Sequence, residues 1–383
     1  MDRGLPRNVA IASPTCAKVP SGYCDAQGGR SAVKRITQPA ITRSDTDMAN
    51  RKTTRRALAT AAACMLTLGA AGIAQAQTKL DLSTVWPDSN FHTANAKRYA
   101  EEVGKATGGQ VQIIVHAGGS LGFKGPEHLR AVRDGLVPMA DILNNQQIGD
   151  EPLFGLESLP FLIGSQDDMR ALQKHTRPIY EQVAARNNQK ILYIVPWPTQ
   201  YLHMKAKADS LEGLKGIKVR VPDRNAADML NAAGMAGILI PWGETIPALA
   251  SGAVAGVSTS SSSGVDGKFW EFLKYVYPTN HTWSSQLVTI NLDAWKKLKP
   301  EHQKALEDVA RRLEPEFWAV SLKNDTDSLD RLKQGGMEVV TLPAAMMTEF
   351  RARTAPLVDA YLKRVPQGEA AVRAYMAETR KTN

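Results

Sequence analysis

Downstream of Ala76 the sequence contains no cysteine: the chain's three, Cys16, Cys24 and Cys64, all precede it. That excludes a disulfide framework from the remaining 307 residues. Folding there rests on a hydrophobic core, which a chain of that length can build, as two lobes. An excess of one charge is missing too. Of 47 basic and 38 acidic residues, 11 and 4 lie within residues 1–76, leaving 36 against 34 and lowering the formal charge from +9 to +2. Nucleic acid is therefore not an expected partner. The seven histidines (His92, His116, His128, His175, His203, His281, His302) show no H-x-x-x-H or comparable ligand spacing, so no metal site is expected. A G-x-S-x-G elbow is absent, because Gly256-Val257-Ser258-Thr259-Ser260 lacks the closing glycine. Asp141, Glu157, Glu244 and Asp266 are scattered and compose no nucleophile–base–orienter set. Neither catalytic residues nor a cofactor is expected. The loop Ala117-Gly118-Gly119-Ser120-Leu121-Gly122 lacks both G-x-G-x-x-G and the Lys-Ser/Thr ending of a P-loop, and reads as a turn needing positive φ.

What is present begins with an export signal. Met48-Ala-Asn-Arg-Lys-Thr-Thr-Arg-Arg56 is a basic n-region, Ala57–Ile73 is rich in Ala and Leu, and Ala74-Gln75-Ala76 matches a small-x-small cleavage site. Residues 48–76 thus read as a secretory signal peptide with the mature start at Gln77. The apolar run is too short and too Ala-rich for a membrane anchor, so the chain is not expected to span a membrane. Residues 1–47 show no periodicity and read as a mis-assigned extension, with translation starting at Met48. Thr54-Arg55-Arg56-Ala57-Leu58 partly matches a twin-arginine signal, yet paired arginines are common in n-regions; both export routes stay open. A lipid-anchored reading of Cys64 is disfavoured by the poor lipobox Ala61-Ala62-Ala63. The expected location is the periplasm.

The mature chain alternates short strands and helices, which indicates an α/β fold with largely parallel sheets. Lys79–Trp86 opens with a strand, Phe91–Ala106 follows as a helix, and Val111–Val115 and Met139–Leu143 are further strands. Asn144-Asn145-Gln146-Gln147, just past a strand end, either lines a cleft or solvates a loop. Asp167–Asn187 reads as a helix interrupted or kinked near Pro178. Pro196-Trp197-Pro198 marks a crossover between lobes. In Leu214–Pro222, Ile217, Val219 and Val221 face one way and Lys218 and Arg220 the other. An arginine at such a strand end suits a carboxylate held by two parallel hydrogen bonds, although a surface ion pair is the commoner role of a lone arginine. Val254–Val257 reads as a strand opening into Ser258–Ser263, six consecutive hydroxyl residues placed where α/β crevices form. Trp86, Trp197, Trp242 and Trp283 stand at strand or segment ends and suit apolar pocket walls. Glu301–Gln334 is a long helical stretch containing Pro315.

Three runs then carry a family resemblance: Leu214-Lys-Gly-Ile-Lys-Val-Arg-Val-Pro222, Pro241-Trp-Gly-Glu244 and Ala248-Leu-Ala-Ser-Gly-Ala-Val254. Gly119-Ser-Leu-Gly122 and Leu129-Arg-Ala-Val-Arg-Asp-Gly135 precede them in matching order. The mature chain resembles the periplasmic solute-binding proteins of tripartite ATP-independent (TRAP) transporters, of the dicarboxylate type. The resemblance implies a two-lobed periplasmic-binding-protein (Venus flytrap) architecture with crossing connections and a long spanning helix. Its expected division is residues 77–198 plus about 285–325 in lobe I, and 199–284 plus about 326–383 in lobe II. It also implies an organic acid ligand, Arg220 as the partner of its carboxylate, and membrane permease subunits as protein partners, the receptor itself being monomer or homodimer.

Two departures bear on the ligand. Where the family often has Val-Asp-Gly-x-x-Asn, this chain has Val254-Ala-Gly-Val-Ser-Thr259. The position of a second family arginine, about twenty residues before Arg220, falls near Gln200. One carboxylate plus hydroxyl or apolar bulk suits these changes. The expected ligand-binding set is Arg220, Ser258, Thr259, Ser260, Trp86, Trp197, Trp242, Asn145, Gln146 and Gln200. An exported enzyme acting on an organic acid, and a ligand-sensing subunit of a signalling system, are the rival readings.

Overall fold

A computed structural model describes residues 77–379; the expected extension and signal peptide lie outside the described residues. Its strands are β1 (Thr78–Ser83), β2 (Val111–His116), β3 (Met139–Leu143), β4 (Gln189–Pro196), β5 (Gln200–Met204) and β6 (Lys218–Val221). They continue with β7 (Ala236–Leu239), β8 (Gly256–Ser260), β9 (Tyr275–Tyr277), β10 (Ser285–Asn291) and β11 (Glu338–Val339). Two sheets result. One has the order β2-β1-β3-β10-β4, the other β11-β9-β5-β8-β6-β7. β1 runs parallel to β2 and β3, and β10 is inserted antiparallel between β3 and β4. β3 and β10 are buried along their whole lengths, as strands covered on both faces must be.

The chain crosses between the sheets repeatedly. It leaves the first through Trp197–Thr199 into β5, and returns from β9 into β10. The third crossing is the 35-residue helix Pro300–Gln334, which runs unbroken through Pro315. Its Leu306, Leu313 and Phe317 pack in the core of the first sheet, and Leu332 in a core beneath the second. The long spanning helix and two-lobed α/β design are thus present. The helix Gln166–Arg186 likewise continues through Pro178. The glycine-rich loop is a turn, with φ of 66°, 70° and 86° at Gly118, Gly119 and Gly122.

The chain's end departs from expectation. Helix Ala344–Thr354 packs with the second sheet through Met346 and Phe350. The two helices after it, Pro356–Leu362 and Pro366–Thr379, place Val358, Leu362, Val372 and Tyr375 in the first core instead. Tyr361 Oη donates to Pro152 O, and Tyr375 Oη to Leu162 O at 3.0 Å. A fourth crossing therefore occurs near Ala355, and residues 356–379 pack with lobe I rather than lobe II. Apolar spacing along a helix reports that one face is buried, but not which core buries it.

Candidate ligand-binding site

Strand alternation decides what each residue of β6 can do. Val219 and Val221 enter the core on one face of the second sheet, which turns Arg220 to the other. There its register partner is Val257 on β8, and Thr259, two residues on, shares that face. Arg220 is 1% exposed. Its Nε donates to Ile240 O at 2.9 Å, and its Cζ stands 5.9 Å from the Trp242 ring centroid. No described residue accepts a hydrogen bond from its terminal nitrogens, and none forms an ion pair with it. Burial lowers its pKa to about 10, opposed by the nearby Asp223 carboxylate. A buried cation with no paired anion is costly.

Asp223 follows the Pro222 that ends the strand, and caps the helix Arg224–Ala232 by accepting from Ala226 N at 3.1 Å. Its other oxygen accepts from Asn145 Nδ2, on lobe I, at 2.6 Å. Burial pushes its carboxyl up to about 7.

Aromatic residues cluster beside Arg220. Trp86 lies 4.5 Å from Trp197 and 5.6 Å from Trp242, centroid to centroid; His92 is 4.5 Å from Trp197. Trp86 and His92 come from lobe I and Trp242 from lobe II, with Trp197 on the crossing segment between β4 and β5. Among the described residues, buried polar atoms without a partner include Trp86 Nε1, His92 Nε2, Asn145 Oδ1 and Gln146 Oε1. Groups this buried nearly always bond to something. Gln146 keeps its place because residue 125 is glycine, since a Cβ there would sit 2.1 Å from Gln146 Oε1.

The lobes also touch at other points. Asn90 Nδ2 donates to Asp266 at 2.6 Å, Lys124 Nζ to Glu244 at 2.8 Å, and Asn225 Nδ2 to Ser158 Oγ at 3.0 Å.

Of the ten expected residues, the structure brings Arg220 and Trp242 together with Trp86 and Trp197, and ties Asn145 to them through Asp223; Thr259 shares the strand face of Arg220, and Gln146 lies against Gly125. Ser258, Ser260 and Gln200 are not brought there. β8 extends to Ser260, so its alternation turns Ser258 and Ser260 away from the Arg220 face. Ser258 Oγ is 2.8 Å from His281 Nε2, a ring that burial keeps neutral with a pKa of about 3. Ser260 Oγ caps the helix Ser261–Asp266 and bonds Ser262 and Ser263. Gln200, the register partner of Ser260, donates to Pro198 O at 3.4 Å. Trp283, also a candidate wall, packs in the first core. Sequence reasoning missed Asp223 and His92. A carboxylate immediately before a helix, three residues after the arginine, was the available signal for the first; nothing distinguished His92. Among the described residues no His, Cys, Asp and Glu cluster is arranged to hold a metal ion, and no helix is long and apolar enough to cross a membrane.

Residues 82–364 match the family model described as bacterial extracellular solute-binding protein, family 7 (DctP). The 2,3-diketo-L-gulonate-binding periplasmic protein YiaO of Escherichia coli is 24% identical over 293 residues, covering 73% of this chain and 85% of that protein. The crystal structure of DctP7, a Bordetella pertussis extracytoplasmic solute receptor binding pyroglutamic acid, is 29% identical with a TM-score of 0.74, covering 77% of this chain and 99% of that one. A marine metagenome TRAP solute-binding protein, described as specific for pyroglutamate, is 30% identical with a TM-score of 0.76, covering 79% and 99%. The match to the family model spans both lobes and includes Arg220, and the chain belongs to the family 7 bacterial extracellular solute-binding proteins, the solute receptors of TRAP transporters.

Proposed function

We propose that the protein captures a small monocarboxylic acid between its lobes in the periplasm, after cleavage of a signal peptide, and delivers it to a TRAP-type permease. The observation that carries this reading is Arg220: 1% exposed, with one hydrogen bond and no paired anion among the described residues. A ligand carboxylate supplies the missing partner in a planar, two-bond geometry. The Trp86, Trp197 and Trp242 walls suit a compact body with an apolar face. One carboxylate is favoured over two, because Gln200 stands where a second arginine was expected and its amide is engaged at Pro198. Pyroglutamate, the ligand of relatives 29% and 30% identical, is the first acid to try.

Capture is a two-state closure in which the ligand contacts both lobes and therefore binds the closed state better. A thermal-shift series with pyroglutamate, lactate, gulonate and succinate tests the reading, since a ligand at a hundredfold its Kd adds about 2.7 kcal/mol of stability. Stoichiometric calorimetric binding without product distinguishes a receptor from an enzyme. Absence of a shift with every acid would overturn the assignment.

A further inference from the structure

Asn145 does something a carboxylate clamp does not require. Its backbone and its side chain are each held by one hydrogen bond. The backbone N–H donates to Asn144 Oδ1 at 2.7 Å, and Asn144 is itself fixed by Glu157 at 2.8 Å and by Ser285 N at 3.1 Å. Its Nδ2 donates to Asp223 Oδ2 at 2.6 Å. An ionised carboxylate only accepts, so this contact dictates which way the amide points. Asn145 Oδ1 is therefore turned from Asp223 and remains a buried acceptor with no donor, on a side chain 3% exposed. Gln146 Oε1, the next residue along, is a second such acceptor, while Trp86 Nε1 is an unpartnered donor.

We propose that the Asp223–Asn145 pair makes the site select acids carrying a hydrogen-bond donor beside the carboxylate, a lactam N–H or a hydroxyl, over acids without one. This rests on the reading of Arg220 as the carboxylate's partner and adds the chemistry of the neighbouring group. Arg220 neutralises the anion but cannot distinguish a donor-bearing acid from a plain one. Asn145 Oδ1 can, because a ligand without a donor leaves it buried and unpaired. A site built to bond a substrate O–H or N–H rejects the analogue lacking it far more strongly than an apolar pocket rejects a missing methylene. Asp223 acts here as a positioning residue.

Replacing Asp223 by asparagine reverses the arrangement. The oxygen facing Ala226 N must stay an oxygen, so the group facing Asn145 becomes an NH2. Asn145 then has to present Oδ1 to it and Nδ2 to the ligand.

The test is isothermal titration of the purified protein with matched pairs. These are pyroglutamate against its lactone counterpart 5-oxotetrahydrofuran-2-carboxylate, and lactate against propionate. The wild-type protein is expected to bind the donor-bearing member of a pair at least about tenfold more tightly. Asp223→Asn is expected to abolish or reverse that ratio, and Asn145→Leu to lower donor-bearing acids to the level of their plain counterparts. Equal wild-type binding of both members of each pair overturns the inference while leaving Arg220 as the clamp, and does so whatever the folding of the variants. An unchanged ratio in a folded Asp223→Asn protein also overturns it, because the discrimination then has another source. No binding of any acid overturns the clamp reading as well.

Discussion

Arg220 donates its Nε–H to the main-chain carbonyl of Ile240 at 2.9 Å, and this single bond anchors the guanidinium beneath Trp242. The anchor joins β6 to the residue that follows β7, both within one lobe, so the cation is oriented before any ligand arrives. Preorganisation of this kind reduces the entropy lost on binding. Arg220→Ala is expected to cost about 2–5 kcal/mol of affinity for the acid, the usual penalty when one partner of a buried charge pair is removed. Arg220→Lys should recover only part of this, since an ammonium cannot reproduce the fork or the Ile240 anchor together. Calorimetry on folded variants measures both, and full-affinity binding by Arg220→Ala would sink the assignment.

Asp141 supplies a stability test that is independent of ligand. It is buried on β3, accepts from Thr84 Oγ1 at 3.1 Å, and burial raises its carboxyl to about 7. A folded-state pKa above the unfolded value means the native state holds the proton longer. The stabilisation is complete below about pH 4 and is lost as pH rises through about 7. Buried histidines oppose this: His128 and His203 are lowered to about 4, so their contribution grows as pH rises from about 4 to 6.5. The carboxyl is isolated by substitution. Asp141→Asn should match the wild type near pH 4 and exceed it increasingly toward pH 8, as read from urea unfolding across that range.

Much of this arrangement was legible in the sequence. The alternation Val219-Arg220-Val221 placed Arg220 opposite the core, and the runs around it identified the family. Trp86, Trp197 and Trp242 are brought together in one aromatic cluster. The serines were misplaced for a local reason. β8 runs three residues past Val257, so Ser258 and Ser260 obey the period of two and turn to the far face. A helix then begins at Ser261, with Ser260 as its cap. Partners distant in sequence were not legible at all. His281 meets Ser258 only when the second lobe folds, and Asn145 meets Asp223, 78 positions on, only when the two lobes come together.

Two glycines separate binding from stability. Gly125→Ala brings a Cβ against the tip of Gln146, a flexible group that can swing aside. Its expected effect is altered ligand affinity with unfolding free energy changed by less than about 1 kcal/mol. Gly237→Ala instead drives a Cβ to 2.8 Å from Ala227 Cα, a backbone atom of the packed helix. That overpacking should cost about 1–3 kcal/mol of stability and leave binding by the folded fraction intact. Chemical denaturation paired with calorimetry distinguishes the two, and equal stability losses would remove Gln146 from the site.

The pH response of ligand choice follows from the contact between Asp223 and Asn145. The groups facing Asp223 are the Arg220 guanidinium on β6, the Asn145 amide on lobe I, the main-chain N–H groups of Asn225 and Ala226, and the Tyr361 phenol on the helix Pro356–Leu362. Arg220 and the amides hold its proton affinity down, but burial outweighs them and raises it to about 7. Once protonated, the carboxyl can donate to Asn145 Oδ1, and the amide is no longer constrained to turn that oxygen toward the ligand. The preference for donor-bearing acids should therefore be widest above pH 7 and narrow as pH falls to 5, while Arg220, charged throughout, keeps carboxylate binding itself in place. Titrating pyroglutamate and its lactone at pH 8, 7, 6 and 5 measures the ratio directly. A ratio independent of pH would mean that Asp223 does not set the orientation of Asn145.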